Sequence, residues 1–245
     1  MKKPVLILAI LLSTCFIYAQ GPGGKHSNLS SGSNGLGDSG YGTNNFMNLN
    51  IGKWVKDPKK NTIDKGSNYL FPTWIQNAIV YDLNGKAYKL ANCNFNVKLN
   101  RLEAILDDES TVDNIFAFNT KDISKLKIGT KQFVKKDIKG LSNQLVEVIQ
   151  QGKKLTLYKG YTTSVKEAKT NPMTLQKMGE DAILKHDAYF VESNSSIHKV
   201  KLKTSAILSF MEDENKEMKT FIKTNKLSVK EDADLAKIFI HYNSL

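Results

Sequence analysis

Residues 92–100 read Asn92-Cys93-Asn94-Phe95-Asn96-Val97-Lys98-Leu99-Asn100, and this stretch decides the fold class. Cys93, Phe95, Val97 and Leu99 fall on one side of an extended chain, and the asparagines with Lys98 fall on the other. Successive side chains of a strand point to opposite faces, so this period of two predicts a half-buried antiparallel strand. Just upstream, Asn84-Gly85 separates the 79–81 apolar run from Tyr88 and has the composition of a type I′ hairpin turn. Downstream, runs at 102–106, 115–118, 126–128, 132–134, 145–149 and 155–158 predict further strands, with Gly152 between the last two. Short strands in series, with no β-α-β alternation, predict an antiparallel β-meander or partial barrel and argue against a Rossmann or TIM architecture.

The last quarter changes period. Ser228-Val229-Lys230-Glu231 has capping-box spacing. Leu235, Ile238, Phe239 and Tyr242 then recur at i, i+3, i+4 and i+7, one face of a helix. Met218, Phe221 and Ile222 mark a shorter helix, and Thr204 is placed to cap another containing Ile207, Leu208 and Met211. Residues 189–192 and 197–202 predict a hairpin across Asn194-Ser195, and a helical pattern spans 175–183. The expected class is α+β: an antiparallel β-meander or partial barrel followed by a small C-terminal helical section from about residue 204.

The chain has 245 residues, of which 40% are hydrophobic and 24% charged, ordinary values for a globular protein. Two cysteines exclude a disulfide scaffold and a Cys-rich metal module. Residues 1–19 have the parts of a secretory signal: Lys2 and Lys3, an apolar run at 5–12, and Ala19 before a cleavage point. An alternative is lipidation, because Leu12-Ser13-Thr14-Cys15 resembles a lipobox and would anchor the chain through Cys15. Residues 20–50 hold eight of the sixteen glycines and read as a flexible Gly/Ser/Asn-rich leader. Residues 51–245 form the single expected domain. Export implies a periplasmic or secreted location.

Chemical motifs are few. Gly37-Asp38-Ser39-Gly40 matches the tetrapeptide around a serine-protease nucleophile, but only a signal and His26 precede it, so the match is accidental. His26, His186, His198 and His241 have no metal-ligand spacing, and no metal or cofactor is expected. Cys93 faces the apolar side of its strand, where a thiol is inert. Asp107, Asp108, Glu109 and Asp113 lack the alternation and the glycine of a calcium loop and read as a solvated turn. Trp54, Tyr69, Phe71 and Trp74 are read as core aromatics. No catalytic residues are assigned.

Charge is the informative feature. The chain carries 35 basic and 24 acidic residues, a net +11. Residues 51–170 hold 21 basic and 12 acidic residues, so the excess outside the N-terminal 50 lies there. Lys199, Lys201 and Lys203 alternate with Val200 and Leu202, which predicts three ammonium groups on one strand face as an anionic-surface site. Arg101 is the only arginine, so the bidentate contacts of specific nucleic-acid readout are missing. A diffuse, salt-sensitive attraction to anionic surfaces is what this composition implies.

Tyr69-Leu70-Phe71 before Trp74, Asn84-Gly85-Lys86, Asn94-Phe95-Asn96-Val97 with Asn100 and Glu103, Ile128-Gly129, Phe133-Val134, Val146-Glu147-Val148, Gly152-Lys153 and Leu157-Tyr158 follow one another along the chain. Lys201-Leu202-Lys203, Lys223-Thr224-Asn225-Lys226-Leu227 and Tyr242-Asn243-Ser244-Leu245 complete the series. From about residue 67 to 245 this resembles a family of exported, Lys/Asn-rich proteins of unknown function from Bacteroidota. The resemblance implies export and β-then-helix order, and it brings no active residues. The functional expectation is a non-enzymatic envelope-associated or secreted binding protein, whose partner is an anionic envelope surface or another protein, with peripheral membrane contact. The alternatives are a carrier of a lipid or small apolar ligand inside the curved sheet, and a hydrolase using unidentified carboxylates.

Overall fold

The computed structural model describes residues 52–56, 65–105, 114–138 and 141–245. The signal, the leader, Cys15, His26, the 37–40 tetrapeptide and the acidic group at 107–113 lie outside the described residues. In chain order the strands are β1 (Gly52–Lys56), β2 (Gln76–Asp82), β3 (Ala87–Asn96), β4 (Arg101–Ala104), β5 (Asn114–Phe118) and β6 (Ile123–Ile128). β7 (Lys131–Ile138), β8 (Leu141–Gln150), β9 (Thr156–Lys166), β10 (Ala182–Ser193) and β11 (Ser196–Val200) follow. The helices α1 (Thr204–Leu208), α2 (Asn215–Thr224) and α3 (Asp232–Ser244) come last. All eleven strands join one antiparallel, unclosed sheet in the order β1-β5-β4-β3-β2-β6-β7-β8-β9-β10-β11. The α+β expectation is therefore met. The sheet is two meanders back to back: β2 to β5 run outward one way, and β6 to β11 run outward the other way from β2.

The deciding stretch is half strand and half turn. Cys93, Phe95 and Val97 are buried as expected. β3 ends at Asn96, whose partner is Arg101, so 97–100 is the hairpin loop and Leu99 lies exposed at its tip. Upstream, Tyr88 and Leu90 are buried out of phase with Cys93 and Phe95. Between Ala78↔Leu90 and Gln76↔Cys93 the β3 side carries one extra residue, and Asn92 there adopts φ +53°. A bulge of this kind resets which residues face inward.

Turn chemistry corrects one hairpin and agrees with another. At Asn84-Gly85 only Gly85 is left-handed (φ +81°), and the Asp82 N–H donates to the Lys86 carbonyl at 3.1 Å. This is a three-residue loop with a glycine bulge, held by the Asp82 carboxylate accepting from the Asn84 and Lys86 N–H groups, each at 2.9 Å, and not a type I′ turn. Asn194 and Ser195 are both left-handed and join Ser193 to Ser196, which is the expected two-residue hairpin.

The helical readings also divide. Leu235, Ile238, Phe239 and Tyr242 are all buried on α3, and Met218 and Ile222 on α2. The capping box does not form, because α3 starts later, at Asp232. Instead the Asp234 carboxylate accepts from the Ser228 N–H at 3.0 Å. Thr204 is the first residue of α1 and not its cap. No helix covers 175–183: 170–177 is a turn closed by the Thr170↔Lys177 bridge, with Leu175 at φ +55°, and β10 begins at Ala182.

The inner face of the sheet carries two cores. Leu90, Phe95, Leu102, Leu126, Phe133 and Leu145 make up the centre of the first, none more than 1% exposed, with Phe95 and Phe133 stacked at 4.9 Å. The second packs Leu155, Leu157, Tyr189 and Val191 against α1, α2 and α3. Burying each such side chain stabilises by roughly 1.5–3 kcal/mol. The four aromatics expected in the core are split. Tyr69 meets Trp74 edge-on at 4.8 Å and Phe71 packs on the first core, while Trp54 on β1 is 45% exposed against Phe116.

Candidate functional site

Where the two cores meet on the inner face, the sheet buries charge. The Lys131 ammonium donates to Glu147 at 2.8 Å, and the Tyr161 hydroxyl donates to the same carboxylate. Lys159, 8% exposed, donates to Asp187 at 2.9 Å and to Asp232 at 2.8 Å, and the Tyr189 hydroxyl donates to Asp232 at 2.7 Å. Burial pulls the Lys159 ammonium down, but its bonds to Asp187, Asp232 and Tyr189 outweigh that and hold it above the ordinary lysine range. Asp232 opens α3, so this network fastens the helix to β9 and β10. A second buried carboxylate, Glu103, accepts from the Tyr69 hydroxyl at 2.7 Å and from Arg101 at 2.6 Å. The single arginine is thereby engaged in an internal ion pair.

Asp232 is held ionised, and none of the carboxylates with a displaced pKa among the described residues is poised as an acid. Those with a displaced pKa, Asp181, Glu192, Asp213, Asp232 and Asp234, are all displaced downward. A general acid needs the opposite displacement in a cleft. No group of three or more His, Cys, Asp or Glu side chains able to hold a metal occurs among the described residues. His186 lies 2.7 Å from the Ser164 hydroxyl on exposed strands, with no carboxylate orienting its ring among the described residues. His241 stacks on Phe221 at 3.8 Å. Burial pushes the Cys93 thiol well above its ordinary range, as expected of an inert cysteine.

A second set of lysines occupies the other face. Ala78 and Val80 point into the core, so Ile79 and Tyr81 point outward. The ladder sets Lys89 and Lys127 on either side of Ile79, and Lys125 beside Tyr81, with its ammonium 5.4 Å from the ring centroid. Lys89, Lys125 and Lys127 form no ion pair among the described residues. Following the ladders, Lys125 neighbours Val134 and Val134 neighbours Val146. Farther on, Val148, Tyr158, Phe190 and Lys199 are successive partners. Lys199 therefore shares the outer face with Lys125.

Lys199, Lys201 and Lys203 do not share a strand face. β11 stops at Val200, and the Lys203 N–H donates to the Lys201 carbonyl at 2.8 Å in a tight turn toward α1. Only Lys199 is on the strand, although all three are exposed. The signal the sequence reading overlooked was positional: Lys125 and Lys127 alternate with the buried Leu126 and Ile128, as Lys89 alternates with Tyr88 and Leu90.

The same face contains a cleft of about 420 Å³. The β8–β9 ladder runs through Glu147↔Lys159, and its next pairs would be Val146 with Gly160 and Leu145 with Tyr161, but pairing stops. Asn100, from the β3–β4 turn, takes that place. Its amide donates to the Leu145 carbonyl at 3.1 Å and accepts from the Leu145 N–H at 2.8 Å. Beyond this wedge, β8 and β9 part. Val146, Gly160 and Phe190 line the floor, and Ile197 and Lys199 lie at the rim. A Cβ at Gly160 would stand 3.0 Å from the Phe190 ring, so glycine leaves the floor open. No helix among the described residues is long and apolar enough to cross a membrane. The chain matches no family model, no curated protein and no solved structure.

Proposed function

We propose that the protein is an exported, non-enzymatic binding protein that attaches peripherally to an anionic envelope surface. The observation that carries this reading is the outward row of Lys89, Lys125 and Lys127, extended on the same face by Lys199, with no carboxylate partner among the described residues. Lysines on an exposed sheet also discourage edge pairing. Cations concentrated on one face without counterions do more, because their fields add toward an anionic plane. The signal-like start and the resemblance to exported Bacteroidota proteins agree with this location. The inner face is occupied by buried side chains such as Leu90, Phe95 and Phe133, which favours surface attachment over a carrier with its ligand there.

The test is cosedimentation of the purified protein with vesicles containing phosphatidylglycerol and with neutral phosphatidylcholine vesicles, at low and high salt. Binding that requires the anionic lipid and fades with salt supports the reading. Equal sedimentation with both vesicle types, or none with either, refutes it.

A further inference from the structure

We infer that the cleft where β8 and β9 part binds a single-chain anionic amphiphile, its aliphatic part on the apolar floor and its anionic head at Lys199. The inference goes beyond surface attachment, since it concerns one small molecule and a cavity.

Three observations carry it. The walls are Ile138, Val146, Ala188, Phe190 and Ile197, which offer dispersion contacts and no charge. Among the polar lining groups, both atoms of the Asn100 amide are bonded to Leu145 and the Tyr161 hydroxyl turns to Glu147 on the opposite face; the polar side chains of Gln144 and Thr162 also stand beside the apolar walls. A sugar or nucleobase would find few donors there and would lose its hydration, so the body of the ligand is apolar. At the rim, Lys199 is the cross-strand partner of Phe190, is exposed, and has no ion-pair partner among the described residues. Nearby Glu192 is already held by Lys136 at 2.8 Å and by the Tyr158 hydroxyl, so it leaves Lys199 uncompensated. An ammonium beside the open end of an apolar cleft selects a carboxylate or sulfate head on an aliphatic chain. The volume lies within the roughly 300–1,000 Å³ of small-molecule pockets.

The probe is 11-(dansylamino)undecanoate, followed by fluorescence in the purified protein and displaced by dodecanoate or by dodecyltrimethylammonium, all below their micelle concentrations. Saturable one-to-one binding is expected, with dodecanoate displacing at least tenfold better than the cation. Ala188→Trp fills the cleft and Ile197→Trp covers its rim; either, with unchanged circular dichroism, should abolish binding. Lys199→Gln should weaken dodecanoate about tenfold, and Lys199→Arg should retain it. No saturable binding by the wild-type protein, equal displacement by both amphiphiles, or binding that survives both folded tryptophan variants overturns the inference. Vesicle cosedimentation of Ala188→Trp separates the two readings: attachment should persist while the cleft is lost.

Discussion

Removing the Asn100 side chain should loosen the junction at which the sheet divides. Its amide satisfies both backbone groups of Leu145, a residue with 0% exposure, in place of the β9 strand that has peeled away. A net hydrogen bond contributes about 1 kcal/mol, and a buried backbone group left unsatisfied costs about 1–3 kcal/mol. Two such bonds next to a cleft that admits water give a loss of about 2–4 kcal/mol for Asn100→Gly, which keeps the left-handed backbone accessible. Asn100 sits at φ +47°, a conformation that disfavours a Cβ by roughly 1–2 kcal/mol. Glycine loses about 0.4–1 kcal/mol more than alanine through its freer unfolded chain. The balance makes Asn100→Ala worse than Asn100→Gly by about 0.5–1 kcal/mol. Urea unfolding followed by far-ultraviolet circular dichroism, with midpoint and slope fitted separately, measures both. A loss under about 0.5 kcal/mol for Asn100→Gly would refute the wedge.

Four further outcomes follow from the buried and partly buried polar groups and the buried thiol. Burial pushes the Asp232 carboxyl up, but hydrogen bonds from Lys159 and Tyr189 outweigh it and depress the folded pKa. Its stabilisation is therefore present above the unfolded value of about 3.9 and is lost as pH falls through the lower folded value, so Asp232→Asn should flatten the acid limb of a stability–pH curve. Burial and the Asp232 hydrogen bond push the Tyr189 phenol up to about 12, so its contribution is complete below about pH 10 and lost as pH rises through 12; Tyr189→Phe should remove that limb. Glu103→Ala leaves Arg101, Asn96 and the Tyr69 hydroxyl without their shared acceptor, and should cost about 3 kcal/mol in urea unfolding. Iodoacetamide should label the Cys93 peptide only after denaturation, as read by mass spectrometry.

Local periodicity reports which residues share a face, and it does so well at Cys93-Phe95-Val97, along α3 and in the strands after residue 114. It does not report what covers the other face. Asn94 and Asn96 look like a solvent row, yet they are 1% and 7% exposed. The segment 67–74 lies over them: the Asn94 amide donates to the Phe71 carbonyl at 2.9 Å and accepts from the Phe71 N–H at 3.1 Å. That contact spans more than twenty positions and leaves no local trace. The left-handed Asn92 and Asn100 are similarly silent, because asparagine is common throughout this chain and only the fold shows which ones bulge or wedge. That Arg101 is the single arginine is legible in the sequence; its internal pairing with Glu103 depends on adjacent strands. For the lysines, composition located the surplus, but only cross-strand register brought Lys89, Lys125 and Lys127 together.

Attachment through that row is the central claim, and charge removal tests it most directly. Each lysine near an anionic bilayer contributes about 1 kcal/mol, so Lys89→Gln/Lys125→Gln/Lys127→Gln should weaken partitioning onto phosphatidylglycerol vesicles about a hundredfold at low salt. The same loss should be smaller at high salt, where the field is already screened. Unchanged partitioning of the folded triple variant would contradict the account.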